Sequence, residues 1–214
     1  MHRFNRRLLL ALSIAVSAST ADAQLTQVFS QVALNGPLTV HDFESGPSGL
    51  GANYSFASGS PLTRAACATA GCVTPSGLNG LSSTLFPDIL TITFINPVGS
   101  IGMFFGNDDT CCSRGFSAFL DVFDGAGLLG TVSVAANMND AADQYLGLNS
   151  TTGITYAQVR YGSGSDVGLF TYLDDVAFGA ATTTVPEPGT VGLVAMGLLA
   201  VVGVAKRRKH STKA

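Results

Sequence analysis

Phe116-Ser117-Ala118-Phe119-Leu120-Asp121-Val122-Phe123, then Asp124-Gly125-Ala126-Gly127, then Leu128-Leu129-Gly130-Thr131-Val132-Ser133-Val134-Ala135 is the stretch whose pattern decides the fold class. Two strand-length runs rich in aromatic and β-branched residues flank a short turn of Asp and Gly, which predicts a β-hairpin. The same grammar recurs on both sides. Leu90 to Phe94 alternates apolar and polar and stops at Asn96-Pro97, a turn signal; Val98 to Phe105 follows and ends at Gly106-Asn107-Asp108. Ile154 to Tyr161 and Leu169 to Phe178 are the last strands, and Thr26 to Leu34 and Leu38 to Glu44 bracket Asn35-Gly36-Pro37. The stretch from Gly46 to Ser83, rich in Gly, Ser, Ala and Thr, reads as long loops carrying one strand around Tyr54 to Ala57. No segment between Gln24 and Ala180 sustains a helical period. Eight or nine short strands with Gly- and Asp-rich turns predict an all-β chain, an antiparallel β-sandwich of jelly-roll type. The absence of a fixed repeat speaks against a solenoid or propeller.

The chain has 214 residues, 46% of them hydrophobic and 12% charged, enough apolar material for one well-cored domain. The positions of the charges say more than their number. Of eleven Lys and Arg, Arg3, Arg6 and Arg7 lie at the start and Lys206, Arg207, Arg208, Lys209 and Lys213 at the end. Between residues 24 and 185 only Arg64, Arg114 and Arg160 face twelve Asp and Glu, and there is no lysine. That balance argues against a nucleic-acid partner.

Both ends read as addresses. Residues 1–23 have the three parts of a secretory signal peptide: the basic start, an apolar run from Leu8 to Val16, and Ala21-Asp22-Ala23 as the cleavage site. This implies export through the Sec translocon, with an exported domain over residues 24–180. Residues 181–189 form a linker containing Pro186-Glu187-Pro188, residues 190–205 an apolar run, and residues 206–214 a basic tail. Sixteen residues make a helix of about 24 Å, a short transmembrane span that basic side chains extend by snorkelling. The basic cluster stays cytoplasmic, so everything before Pro186 lies outside the inner membrane.

Pro186-Glu187-Pro188, the short Gly/Leu/Val helix and the Arg/Lys cluster together resemble the PEP-CTERM sorting signal of exported bacterial proteins. The resemblance implies an exosortase as partner, a membrane cysteine protease-transpeptidase that processes such chains near the Pro-Glu-Pro motif. It also implies a cell-envelope or extracellular location in a Gram-negative bacterium that makes extracellular polysaccharide.

Cys67, Cys72, Cys111 and Cys112 form an even set in an oxidising compartment, where disulfides are expected. Three pairings are open; cross-pairing the two Cys groups closes the longer rings and restrains the unfolded chain more. The spacings do not repeat a zinc-knuckle pattern. The acidic residues cluster at strand ends: Asp42 and Glu44, Asp108 and Asp109, Asp121 and Asp124, Asp174 and Asp175. Clustered carboxylates outside the cell suit Ca²⁺, a hard cation served by weak sites. His41-Asp42-Phe43-Glu44 and Leu173-Asp174-Asp175-Val176 resemble the early "FE" and late "DDV" strands of jelly-roll carbohydrate-binding modules. In those modules the two strands are adjacent and hold a structural calcium, which implies Glu44 and Asp174 as ligands here, with Asp42 and Asp175 as neighbours.

Enzyme signatures are missing. His41 is the only histidine between residues 24 and 185, and no Gly-x-Ser-x-Gly elbow or phosphate loop occurs, so no catalytic residue and no organic cofactor is expected. The expected role is a structural or adhesive component associated with exopolysaccharide or biofilm. The alternatives are a calcium-stabilised lectin-like module and, further off, a glycan hydrolase or lyase. With no tryptophan in the chain, any sugar-stacking ring must come from Tyr54, Tyr145, Tyr156, Tyr161 or Tyr172.

Overall fold

A computed structural model describes residues 24–46, 51–66, 73–82, 88–106, 117–137, 139, 141–162 and 172–181. The segments read as a signal peptide, Pro-Glu-Pro motif, transmembrane run and basic tail, and all four cysteines, fall outside those residues. Among the described residues there are ten strands: β1 (Leu25–Val28), β2 (Leu38–His41), β3 (Ala52–Phe56), β4 (Thr63–Ala66), β5 (Asn79–Ser82), β6 (Leu90–Gly106), β7 (Ser117–Phe123), β8 (Leu128–Ala135), β9 (Gln144–Gly162) and β10 (Tyr172–Ala180). Every strand pair among them is antiparallel.

Two long strands organise the rest. β6 has 17 residues and β9 has 19, and they pair along both their halves. Between Thr93 and Val98 the register slips, because Thr93 faces Tyr156 while Val98 faces Ile154. The extra residues bend β6, so its first half pairs with β3 on the far side and its second half with β10. β9 bends with it, pairing with β1 over Gly147–Ser150 and with β7 over Tyr156–Gly162. One layer is therefore β2 and β5 beside β10, then the end of β6, the start of β9, and β1. The other is β3, the start of β6, the end of β9, β7 and β8. β4 extends the first layer from β5.

The core lies between the layers. Ile101, Met103, Phe105, Leu146, Leu148 and Leu173 from one layer meet Leu90, Ile92, Leu120, Val122 and Val159 from the other, all fully buried in one cluster. Burial of each such side chain stabilises the fold by about 1.5–3 kcal/mol. The antiparallel β-sandwich expected from the sequence is the fold observed, and the β7–β8 hairpin forms across Asp124–Gly127 as predicted.

Four expectations are corrected: the strand expected over Ile154 to Tyr161 starts earlier, at Gln144. Asn96-Pro97 does not end a strand; it sits inside β6 at the bend, where a residue without an N–H is tolerated because the ladder is already broken. The Gly46–Ser83 stretch contains three strands, β3, β4 and β5, rather than one. Thr26–Leu34 is a strand only to Val28 and then a short 3₁₀ turn at Gln31–Ala33. That turn lays Leu34 over the outer face of the first layer, beside Val28, Tyr145, Ala177 and the half-buried Phe104.

Tyr145 reaches across β6 on this outer face. A Cβ built on Gly102 would stand 2.3 Å from the Tyr145 hydroxyl oxygen, so glycine is required there. The hydroxyl is buried and makes no hydrogen bond among the described residues. Gly102→Ala is expected to lower stability by roughly 1–3 kcal/mol through overpacking. Tyr145→Phe, which removes a buried polar atom, is expected to leave the melting temperature unchanged or raise it. Thermal melts of the two variants check the contrast.

Candidate functional site

The paired strands bring the predicted acidic residues to one place. β2 lies antiparallel to β10 with His41 opposite Val176, so the chain after His41 arrives beside Asp174 and Asp175. Phe43 then adopts a left-handed backbone, φ 56°, uncommon for a bulky residue. The conformation is held because its ring is buried edge-on against Tyr54, centroids 5.7 Å apart. Asp42 Oδ1 accepts the Glu44 backbone N–H at 3.1 Å, closing the turn that directs Glu44 outward.

Glu44 meets the segment that leads into β5. Its Oε1 accepts the backbone N–H groups of Leu78 at 2.7 Å and Asn79 at 2.6 Å, and Oε2 accepts Asn79 Nδ2 at 2.8 Å. The carboxylate passes so close to Gly77 that a Cβ there would stand 2.2 Å from Glu44 Cδ, and Gly77 also has φ +51°. On the other side of the same segment, Ser76 binds both β10 carboxylates. Its hydroxyl donates to Asp175 Oδ1 at 2.7 Å, and its backbone N–H donates to Asp174 Oδ2 at 3.3 Å. Asp174 Oδ1 accepts the Asp175 N–H at 2.8 Å. Asp175, at φ 47°, is the extra residue of a bulge where β10 slips against β6. The bulge places two consecutive carboxylates near one serine.

Asp174 is fully buried, and its carboxyl is pushed up to about 7. Burial is the main cause, opposed by the Asp175 backbone N–H; the Asp175 carboxylate adds to the rise, and the Ser76 donors work against it. Tyr172, packed beside Gly80, is pushed up to about 12, first by burial and then by the carboxylates of Asp174 and Glu44. Glu44, Asp174 and Asp175 thus share one electrostatic neighbourhood. Their oxygens, however, are taken up by N–H and O–H donors of the 74–79 segment. Among the described residues no three His, Cys, Asp or Glu side chains stand close enough to share a metal ion. The donor chemistry suits a hard cation, but the arrangement, as it stands, does not converge on one.

His41 is buried. Its Nδ1 shares a hydrogen bond with the Tyr54 hydroxyl, and Phe178 packs edge-on at 5.3 Å. This is a packed strand-end histidine.

Sequence reasoning passed over the outer face of the second layer. Of the five tyrosines, Tyr54, Tyr145, Tyr161 and Tyr172 are buried and only Tyr156 is half-exposed. It stacks on Phe123 with centroids 4.4 Å apart and planes 5° from parallel. Strand register puts Thr93 and Asn53 beside this pair, giving the row Phe123, Tyr156, Thr93, Asn53. The next row is Thr131, Asp121, Gln158, Thr91 and Ser55. Arg160, one row further, binds Asp121 Oδ2 at 2.6 Å and lies 4.3 Å from the Phe119 ring centroid. Thr131 Oγ1 donates to Asp121 Oδ1 at 2.6 Å. With strands about 4.8 Å apart, the polar row spans roughly 19 Å. The face is hydroxyl- and amide-rich, flanked by aromatic rings, and its arginine is neutralised in place. The alternation of Thr91, Thr93, Tyr156 and Gln158 was the signal available in the sequence.

The raised carboxyl of Asp174 fixes a sign. A carboxyl whose pKa is higher folded than unfolded holds its proton longer in the native state, so its contribution to stability falls as pH rises from about 4 to about 7. The stability difference between the natural chain and Asp174→Asn is expected to move against the natural chain over that range, by on the order of 2 kcal/mol, and to level off above it. Urea melts at a series of pH values measure it; a difference independent of pH refutes the assignment.

Residues 184–209 match the PEP-CTERM protein-sorting motif. No curated protein sequence matches the chain. Among solved structures the fold is similar to the K2 cleaved adhesin domain of Lys-gingipain, at 13% identity and TM-score 0.44, over 66% of this chain and 99% of that one. It is also similar to the K3 adhesin domain of the same protein from Porphyromonas gingivalis, at 13% identity and TM-score 0.39, over 66% of this chain and 98% of that one. The xylan-binding domain from CBM 22 is similar at 14% identity and TM-score 0.39, over 69% of this chain and 96% of that one. These neighbours are β-sandwich binding and adhesin domains, a likeness of fold alone. The C-terminal segment carries a PEP-CTERM sorting motif, which implies an exported, exosortase-targeted protein.

Proposed function

We propose that this chain is an adhesive or structural component of the cell envelope or extracellular matrix that holds exopolysaccharide through the outer face of its second layer. The observation that carries the reading is the composition of that face: the Phe123–Tyr156 stack beside a row of hydroxyl and amide groups across five strands. Sugars offer C–H faces to aromatic rings and hydroxyls to such groups. The acidic, lysine-free body supports an uncharged polysaccharide rather than an anionic one. Tyr156→Ala is expected to weaken binding of the excised domain to host polysaccharide by about ten-fold, while Tyr161→Phe, in the core, leaves it unchanged. Affinity electrophoresis in polysaccharide gels reads both; equal retardation of Tyr156→Ala and the natural domain refutes this face.

The sorting motif supports anchoring through residues 190–205 followed by exosortase processing. Mass spectrometry of the mature chain is expected to find a C-terminus near Pro186–Pro188. An intact Lys206–Ala214 tail recovered from the envelope counts against processing.

A calcium-stabilised lectin-like module is the second reading, supported by the gathering of Glu44, Asp174 and Asp175 around residues 74–79. A bound ion has to displace the N–H donors that now hold Glu44.

A further inference from the structure

The bend of the two long strands gives the sandwich two unlike ends. At one end β6 and β9 turn from layer to layer, and both termini of the described body meet there. Gln24 exchanges hydrogen bonds with Thr151, and the Ala181 N–H donates to the Pro97 carbonyl at 3.4 Å. Asn35-Gly36 closes the same end, its carbonyl accepting Ser100 Oγ at 2.9 Å. At the other end lie the start of β10 and the Glu44–Asp174–Asp175 cluster, about 20 Å from Ala180 along the strand.

Charge follows this division. Asp42, Glu44, Asp88, Asp143, Asp174 and Asp175 all lie toward the end away from Ala181. At the bent end the described residues carry one charge, Asp124, and it is turned inward to cap its own hairpin through the Ala126 and Gly127 N–H groups. What that end exposes is uncharged, including Ile95 at 67% and Leu128 at 58% exposure. From Ala181 to Thr190, where the apolar run begins, the chain spans nine residues, at most roughly 30 Å. Part of that length crosses the headgroup layer, about 5–7 Å deep.

We propose that, before processing, the sandwich stands bent end down on the lipid headgroups of the membrane that holds its sorting segment, with Ile95 and Leu128 against the lipid. The occupant follows from the tether, which leaves the body at that end, and from charge, since the opposite end would meet anionic lipid with its carboxylates. The tether supplies the effective concentration, so a weak contact suffices. This rests on the anchoring part of the proposed function and leaves the polysaccharide face and the acidic end open to the outside.

The lysine-free body makes the test direct. The full chain, reconstituted in vesicles of phosphatidylethanolamine and phosphatidylglycerol containing a rhodamine-headgroup acceptor, is labelled with an impermeant amine-reactive donor. The donor sits at Asn96→Lys on the bent end or at Val73→Lys on the other, with the unsubstituted chain as background. Energy transfer from Asn96→Lys is expected to be roughly two-fold higher or more, given a body about 20 Å tall and a linker of that reach. The order is expected to survive a Gly/Ser insertion of about ten residues after Thr184, and to be lost when Ile95→Asp and Leu128→Asp are combined. Equal or reversed transfer in chains that float with the vesicles overturns the orientation alone. Transfer equalised by the insertion, or an order seen only in native membranes, overturns the lipid contact. Chains that fail to float overturn the anchoring and the proposal with it.

Discussion

The pairing of β6 with β9 is the constraint on which the rest of the molecule depends. Each strand is long enough to serve both layers, and the slip between Thr93 and Val98 lets the pair turn from one layer to the other without separating. Their inward residues, Ile92, Ile101 and Met103 from β6 and Leu146, Leu148 and Val159 from β9, line the core from both sides. Every other strand but β4, β5, β8 and β2 adds directly to one of these two. β10 then carries β2 and β5. A fault in this ribbon would uncouple the two halves of the core, whereas a fault in an outer strand would expose only its own edge.

The acidic knot at β2 and β10 shows how a chain with few cations handles buried carboxylates. With no lysine in the body, Glu44 and Asp174 are met by main-chain N–H groups and by Ser76 instead of by ammonium groups. The Glu44 donors stand at 2.6–2.8 Å; Asp174 is deeper, lies beside Asp175, meets Ser76 only at 3.3–3.4 Å, and holds its proton toward neutral pH. Gly77 allows the Glu44 carboxylate to approach the turn, so a small residue in the loop and a charged one on the strand end form a single device.

What could be read without coordinates followed from local chemistry. The hairpin at Asp124–Gly127 was legible because turn residues and strand residues agree there; β2 beside β10 was implied only by the resemblance of the Glu44 and Asp174 segments to carbohydrate-binding modules. The Asn96-Pro97 bend was misread because a proline that breaks a ladder looks the same whether the strand stops or merely changes partners. β4 and β5 were missed because Gly, Ser and Ala carry little strand preference of their own; at β5, Gly80 is set by the Tyr172 ring above it. The first half of β9 was hidden for a related reason, since Gly147 lies beneath Tyr145 and leaves no alternation to see. At the site, the carboxylate grouping was legible but its use was not, because main-chain donors leave no mark in a sequence. The outer face escaped because it depends on register across five strands.

The exit of the chain at Ala181 has a mechanical consequence. β10 is bordered by β6 on one side and by β2 and β5 on the other, and Ala181 follows directly from its end. Were the chain held from its C-terminal side, as proposed, while the body is held elsewhere, a pull would load those ladders in shear, many bonds together, instead of peeling them one at a time. Forced opening is governed by the rate of unfolding rather than by equilibrium stability.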